Sequence, residues 1–171
     1  MKSSLTPLSL VAGKVTPMTG KSDIVLRRAV NTDSGAVADL LMAAKDDIPL
    51  YVRPDTPPEQ VVAHFGAYLL KGNGWVVTLG GVLAAALILE PDDKEMLYLV
   101  TDERHRRIGA ARGLIDQAKQ IAVSEGWNIL MAKTNPPNEL IGKVLGNEGF
   151  SRAGEIATKT RTWHRWIWKP S

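Results

Sequence analysis

The sequence predicts one α/β domain in which a mixed sheet is covered by helices on both faces. Three observations lead to this fold class. The apolar and polar periodicities give the order strand, two helices, three strands, helix, strand, helix and final strands. Residues 82–89 are apolar on both faces, which is typical of a strand covered on both sides. Residues 110–122 carry one apolar stripe opposite a polar face, as a surface helix does.

The first part of the chain is predicted to be an arm followed by a strand and two helices. Residues 1–22 hold no regular period and form an extended arm, either a disordered tail, which the composition favours, or a docked segment. A short strand over residues 24–28 precedes helix-start residues 32–34 and the first helix. The second helix begins near Pro57, because proline is tolerated in a first turn. We therefore place one domain over residues 23–171 behind the arm.

The later elements are delimited by glycine turns. Gly80 and Gly81 predict a hairpin between strands 75–79 and 82–89. Next come a strand over residues 95–100 and the amphipathic helix, which ends near Gly126. The remaining patterns predict a strand over 128–132, a short helix over 138–145, and one or two strands in the Thr- and Trp-rich residues 156–168.

Composition excludes several kinds of protein. The chain has no cysteine, which rules out disulfides, a thiol nucleophile and Cys-ligated metal sites, and a reducing compartment fits this. No apolar run approaches the roughly 18 residues of a membrane span, and the N-terminus lacks a signal-peptide pattern. We therefore expect a soluble, cytoplasmic protein with no membrane partner. The net charge of +3 does not indicate nucleic acid, and the scattered histidines predict no metal site.

The most informative segment is the turn that joins the strand ending at Val100 to the amphipathic helix. Residues 106–111 read Arg-Arg-Ile-Gly-Ala-Ala. A helix start presents main-chain N–H groups and the positive end of a dipole, small residues let an anion approach, and arginine contacts phosphate in a bidentate manner. The segment therefore predicts a diphosphate site. The alternative is that these arginines only solvate the start of a helix.

This turn resembles the cofactor motif of the GNAT family of N-acetyltransferases. The family motif is Gln or Arg, two residues, Gly, one residue, then Gly or Ala, and Arg106, Gly109 and Ala111 match it. The resemblance covers residues 24–168 and implies a GNAT-like mixed, mostly antiparallel sheet of about six or seven strands flanked by helices. It also implies acetyl-CoA as cosubstrate. The implied contacts with acetyl-CoA are Leu99, Val100, Arg106, Arg107, Ile108, Gly109, Ala110, Ala111 and Asn138.

The resemblance further implies direct attack of an amine on the thioester. Acetyl-CoA would lie between the strands around Val100 and Ile129, and the Val100 N–H would polarise the thioester carbonyl. Glu95 is the candidate base for the amine proton, the alternative being a solvated carboxylate at a strand start. Tyr98 is the candidate proton donor, although a tyrosine within a strand is more often a packed residue.

The sequence departs from the family pattern at three places. The stretch between Val100 and Gly109 is one residue longer than usual, so an alternative register puts His105 and Ile108 on motif positions. Leu145 stands where many members carry a tyrosine that protonates the departing thiolate. Residues 136–137 and 144–146 alter the helix that flanks the cofactor.

Two further segments are candidates for binding. Asp46, Asp47 and Tyr51 lie in the loop between the first two helices, where the family shapes its acceptor site, although a solvated loop is equally consistent. Residues 163–168 interleave aromatic and basic side chains, which favours a terminal strand or a protein contact over single-stranded nucleic acid. A homo-oligomer or larger assembly could form through the arm or this strand.

Two functions from different classes therefore follow. The first is an acetyl-CoA-dependent N-acetyltransferase acting on a small-molecule or protein amine. The alternative is a catalytically inactive GNAT-fold structural or interaction protein, such as a phage virion or assembly component, with the virion as its location. The turn around Gly109 favours the enzyme, whereas Leu145, the arm and the Trp-rich end favour the alternative.

Overall fold

The computed structural model describes residues 15–17, 23–46, 48, 52–53, 55–106, 108–136 and 139–171. Within these residues the helices are α1 Ser34–Ala43, α2 Pro58–Leu70, α3 Ala110–Ser124 and α4 Glu139–Asn147. The strands are β1 Val15–Pro17, β2 Ile24–Arg28, β3 Gly74–Leu79, β4 Val82–Glu90, β5 Glu95–Thr101, β6 Leu130–Thr134, β7 Ser151–Ala157 and β8 Thr162–Trp168. Among the described residues, no helix has both the length and the apolar character that crossing a bilayer requires.

The eight strands of the described residues belong to one sheet, in the order β1-β2-β3-β4-β5-β6-β8-β7. Neighbouring strands run antiparallel except for β5 and β6, which are parallel. This confirms the expected mixed, mostly antiparallel fold class. The sheet exceeds the expected size by one strand, because β1 pairs with the outer edge of β2.

The predicted arm is therefore docked over the three residues of β1, against the expectation that composition favours a disordered tail. Main-chain hydrogen bonds to an open sheet edge need no side-chain periodicity, which is why the sequence pattern did not show this strand. Residues 1–14 and 18–22 of the predicted arm lie outside the described residues.

The helices cover both faces of the sheet, and each face has its own apolar core. The core under α3 and α4 contains Leu114, Ile115 and Leu145, and the core under α1 and α2 contains Leu41 and Phe65. Strand β4 lies between the two cores and supplies both in alternation, with Ala85, Leu87 and Leu89 to the first and Ala86 and Ile88 to the second. The prediction of a doubly covered central strand is thus confirmed.

The hairpin between β3 and β4 forms at the predicted glycine pair. Gly80 and Gly81 have φ angles of 58° and 82°. Two consecutive positive φ angles are characteristic of the turn that matches the twist of a two-residue hairpin, and glycine adopts them without a Cβ clash. This hairpin fixes the register of β4, and through β4 that of β5.

Strands β5 and β6 separate soon after they begin. They pair only at Glu95 with Met131 and at Met96 with Ala132. In β5, Leu97 is an extra residue, because Leu89 pairs with Met96 and Ile88 pairs with Tyr98. Beyond these pairs the strands leave a wedge between residues 97–101 of β5 and 133–134 of β6, which we call the splay.

Candidate active site

A cleft of about 510 Å³ opens into the splay on the face of the sheet that carries α3 and α4. Strands β5 and β6, the start of α3 and one side of α4 form its walls. Ala44 and Ile48, which follow α1, reach the cleft from the other side of the sheet. The volume lies within the range of about 300–1,000 Å³ that is usual for small-molecule and cofactor sites.

The start of α3 closes one end of the cleft. Gly109 precedes the helix with a φ angle of 81°, a left-handed conformation that favours glycine. Residues 109–112 all line the cleft. The N–H groups in the first turn of a helix have no partner inside the helix, and Gly109 has no side chain to cap them. This end therefore offers main-chain donors and a positive dipole to an anion.

The position of Gly109 supports one of the two possible registers of the turn. Gly109 occupies the left-handed position directly before α3, whereas Ile108 packs against the apolar core beneath that helix. Ala110 is 2% exposed, and the side chain of Ala111 is only partly exposed. The register that aligns Arg106, Gly109 and Ala111 with the motif is therefore the one that this geometry fits.

The arginines near the turn face different partners. Arg106 lines the cleft, as expected. Arg104 instead pairs with Asp102 at 2.7 Å, and its hydrogen bonds hold the pKa of that carboxyl well below its usual range. Arg112 also lines the cleft, but its Nε lies 3.3 Å from a carboxylate oxygen of Glu148. Arg107 lies outside the described residues, so its predicted role remains a prediction.

The main chain of β5 directs alternate N–H groups into the splay. The N–H of Asp102 donates to the carbonyl oxygen of Ala84 at 2.8 Å, and Val100 pairs with Ala86 in the same register. Because every second residue of an antiparallel strand points its N–H at the same neighbour, the Val100 N–H is directed toward β4. The N–H groups of Leu99 and Thr101 are directed into the splay. The structure therefore directs the N–H of Val100, the expected donor, away from the splay and directs those of its neighbours Leu99 and Thr101 into it.

Glu95 is a buried carboxylate beside the closed end of the splay. Its side chain is only 2% exposed, so the alternative of a solvated carboxylate does not hold. Lys133 of β6 places its Nζ 3.3 Å from Oε2 of Glu95, although this oxygen has no hydrogen bond of good geometry. Burial raises the pKa of Glu95, Lys133 opposes the increase, and Asp93 and Glu90 add to it. Of the ion pair, Lys133 lines the cleft and Glu95 does not.

Tyr98 and Leu145 are the two positions from which a side chain was expected to protonate the departing thiolate. Tyr98 is 1% exposed and packs edge-on against Phe65 of α2, with the ring centroids 5.6 Å apart. It belongs to the core under α1 and α2 and does not line the cleft, so the structure supports its packing role and not the expected catalytic one. Leu145 of α4 does line the cleft. The position where the resemblance expects a tyrosine hydroxyl therefore presents methyl groups.

The expected acceptor residues are described only in part. Asp46 follows α1 and is exposed, and its carbonyl oxygen accepts hydrogen bonds from Asn135 Nδ2 at 2.9 Å and Arg161 at 3.4 Å. These bonds hold the end of α1 close to the end of β6. Asp47, Tyr51 and the cofactor candidate Asn138 lie outside the described residues, so their roles remain predictions.

Besides Arg106, the cleft is lined by five polar residues that sequence reasoning did not assign to the site: Thr101, His105, Arg112, Lys133 and Thr134. The predicted strand over residues 128–132 ended two residues before β6 does, which hid the last two of them. The resemblance already implied a splay beside this strand, and residues at the open end of a splay face a ligand. That implied splay was the signal that could have identified Lys133 and Thr134. Within the described part of the chain, no group of three His, Asp or Glu residues could hold a metal ion.

Comparison with known sequences points to one family. A model described as the acetyltransferase (GNAT) family matches residues 39–141, a stretch that runs from α1 into α4. It includes both sides of the splay and the turn at Gly109. Among curated proteins, no sequence matches the chain significantly.

Solved structures share the fold at low sequence identity. An acetyl transferase from Salmonella typhimurium that modifies the N-terminal serine of a 50S ribosomal subunit protein has a TM-score of 0.67 at 16% identity, over 92% of this chain and 100% of that one. A ribosomal α-N-protein acetyltransferase in complex with coenzyme A has a TM-score of 0.65 at 15% identity, over 91% and 98%. An N-acetyltransferase from Staphylococcus aureus Mu50 has a TM-score of 0.71 at 17% identity, over 85% and 98%.

Proposed function

The chain belongs to the acetyltransferase (GNAT) family, and we propose that this N-acetyltransferase transfers acetyl from acetyl-CoA to an amine by direct attack. The observation that carries the proposal is a single cleft that joins the anion-binding start of α3 to the splay beside Glu95. Acetyl-CoA, when bound, supplies a diphosphate and an activated thioester. The two ends of the cleft provide what each of these groups requires.

The residues at the α3 end fit a diphosphate. The left-handed Gly109 and the small side chains after it leave the main-chain N–H groups accessible, and a Cβ at residue 109 would be strained at a φ angle of 81°. Arg106 lines the same end and adds a charged donor. This end therefore neutralises and orients a diphosphate through donors that are fixed before binding.

The residues at the splay fit an acyl transfer. The N–H groups of Leu99 and Thr101 are directed into the splay, where they can donate to an oxygen that gains negative charge in the transition state. An ammonium group has no lone pair, so a base must take the proton of the attacking amine. Because the Glu95 side chain is 2% exposed and does not line the cleft, Glu95 takes this proton through water. Its raised pKa makes the carboxylate a stronger base than an exposed glutamate.

The acceptor is an amine of a small molecule or of a protein. A protein acceptor is supported by the shared fold with an acetyl transferase that modifies the N-terminal serine of a ribosomal protein. The amine enters on the side of α1, where Ala44 and Ile48 border the cleft and Asp46 is exposed. A carboxylate at this entrance attracts a cationic amine.

Calorimetric titration of acetyl-CoA into the protein tests the proposal. Gly109→Glu places a strained residue and a negative charge at the diphosphate, so we expect a loss of affinity of about 100-fold or more. Gly126→Glu is the matched control, because Gly126 follows α3 with a φ angle of 71° and has open space around it. It introduces the same charge and comparable strain away from the cleft.

Two results would overturn the proposal. The first is absence of binding by the wild-type protein at high micromolar acetyl-CoA. The second is an equal loss of affinity in Gly109→Glu and Gly126→Glu, because it would show that binding does not involve the turn. Turnover is then measured as CoA thiol release with a panel of short peptides with free N-termini and small alkyl amines.

A further inference from the structure

The Trp-rich end of the chain contacts Thr134, a residue that lines the cleft, through Trp166. On β8, Trp166 pairs with Ala132 of β6, and its Nε1 donates a hydrogen bond to Oγ1 of Thr134 at 2.9 Å. The other edge of the ring lies against α4, where a Cβ added to Gly142 would come within 3.2 Å of Cζ2 of the indole. Contacts with β6 and α4 thus hold the ring in one orientation.

The hydrogen bond from Trp166 determines which further hydrogen bond the Thr134 hydroxyl can make. An indole N–H is a donor only, so it occupies a lone pair of Oγ1 and leaves the hydroxyl hydrogen for another acceptor. Thr134 is 5% exposed and lines the cleft. A hydroxyl this buried needs an acceptor when water is excluded, and a ligand in the cleft can provide one.

Thr134 lies across the splay from the predicted thioester site. It stands two residues beyond Ala132, which pairs with Met96 at the closed end. On β5, the corresponding level is reached near Leu99, whose N–H is directed into the splay. In a thioester whose carbonyl oxygen accepts from that N–H, the sulfur is two bonds from this oxygen and so also lies within the splay, whose other wall is β6.

We infer that Thr134 donates a hydrogen bond to the departing thiolate of CoA and that Trp166 is its positioning residue. The inference rests on the proposed function. In the transfer, the amine nitrogen bonds to the carbonyl carbon, the C–S bond breaks with its electron pair going to sulfur, and the amine proton goes to Glu95. Thr134 keeps its own proton and stabilises the charge on sulfur. It thereby supplies part of what a tyrosine at residue 145 would supply.

Other groups that line the cleft are placed for different roles. The hydroxyl groups among its described lining residues belong to Thr101 and Thr134, and Thr101 lies at the end of β5 that leads to the phosphate turn. The titratable or charged lining residues in the described ranges are His105, Arg106, Arg112 and Lys133. Of these, Lys133 lies within ion-pair distance of Glu95. All four residues are unchanged in the variants described below. A difference in the pKa of the bound thiol between those variants therefore does not come from replacing any of the four.

The experiment is a spectroscopic titration of the thiol of bound CoA, using the ultraviolet absorbance of the thiolate. A hydrogen bond to an ionised group is strong enough that Thr134→Val should raise the pKa of the bound thiol by about 1–2 pH units. Thr134→Ser keeps the hydroxyl and should stay near the wild-type value. Affinity for desulfo-CoA should be the same in all three proteins, because this ligand has no sulfur.

Variants of tryptophan separate positioning from packing. Trp166→Phe keeps an aromatic ring against Gly142 but removes the N–H, so the pKa of the bound thiol should rise in the same direction by a smaller amount. Trp163→Phe is the matched control, since residue 163 lies on the opposite face of β8 from residue 166. It should leave the pKa of the bound thiol unchanged, and melting temperatures of all variants check that each is folded.

The outcomes distinguish this inference from the proposed function. Failure of wild-type protein to bind CoA would overturn the proposed function and this inference with it. Wild-type affinity for CoA in Thr134→Val, with an unchanged pKa of the bound thiol, would overturn this inference alone. Equal rises in Trp166→Phe and Trp163→Phe would overturn the positioning role of Trp166.

Discussion

The α3 end of the cleft offers the main-chain donors of residues 110–112 together with Arg106, whereas the β5–β6 end is lined by Lys133 and Thr134, with Glu95 paired to Lys133. The first end is built within one continuous segment of about ten residues. The second needs two strands that meet at only two pairs, Glu95 with Met131 and Met96 with Ala132, whose members are far apart in sequence.

The two ends of the cleft differ in whether a charged group is buried there. The main-chain N–H groups at the α3 end are uncharged, and the helix start fixes their positions. They therefore bind an anion without any charged group having to be buried. The side-chain end instead holds a carboxylate with a 2% exposed side chain next to an ammonium group, and burial raises the pKa of that carboxyl. Substitutions at the first end should therefore change affinity, and substitutions at the second should change rate and pH dependence.

The largest effect should come from Glu95→Gln. Removal of the base should lower the rate of acetyl transfer by about 100-fold or more at neutral pH, with little change in acetyl-CoA affinity. The wild-type rate should rise with pH as Glu95 loses its proton, and the raised pKa of Glu95 should place this rise at a higher pH than for an ordinary glutamate. The rise should be absent in the variant. The measurement is thiol release against pH at saturating acetyl-CoA.

Glu90→Gln is the matched control for this prediction. Glu90 pairs with Glu95 across β4 and β5, and its charge contributes to the raised pKa of Glu95. Its removal should keep the rate near wild type and move the rise to slightly lower pH. An unchanged pH profile in Glu95→Gln would remove Glu95 from the role of base.

An intermediate effect should distinguish the two arginines Arg104 and Arg106, which precede the turn at Gly109. Arg106→Gln removes a charged donor that lines the cleft and should weaken CoA binding by about tenfold, more at low salt than at high salt. Arg104→Gln removes a guanidinium that is 76% exposed and pairs with Asp102, so CoA affinity should stay within about twofold of wild type. Calorimetry at two salt concentrations measures both. Equal losses would show that only the overall charge of the turn matters.

The smallest effect concerns the stability of the folded protein. Because the folded-state pKa of Glu95 is raised above 4.5, its contribution to stability is present below that pH and is lost as pH rises through the folded-state pKa. Glu95→Gln should therefore lose less stability than wild type between pH 4.5 and 8. Urea unfolding across this range measures the difference. Parallel stability curves would mean that Lys133 fully compensates the burial of the carboxylate.

Several features of the fold were predictable because they have local causes. The Gly80-Gly81 turn, the apolar strand before Pro91 and the amphipathic stripe of α3 each follow from the residues of that segment. Strand β1 was not predicted, because pairing at a sheet edge leaves no periodic pattern in three residues. The strand that contains Lys133 was predicted two residues too early for a similar reason, since its polar end resembles a loop.

The sequence by itself determined the turn that closes the α3 end of the cleft, because Arg106, Gly109 and Ala111 lie within one segment and need only the helix that follows them. It also determined that residue 145 carries no hydroxyl. Tertiary structure alone decided which N–H of β5 enters the splay, that Tyr98 lies in the core, and that Trp166 reaches Thr134. The physical reason is that strand register and the packing of distant elements set these positions. Neither can be inferred from a local pattern of residues.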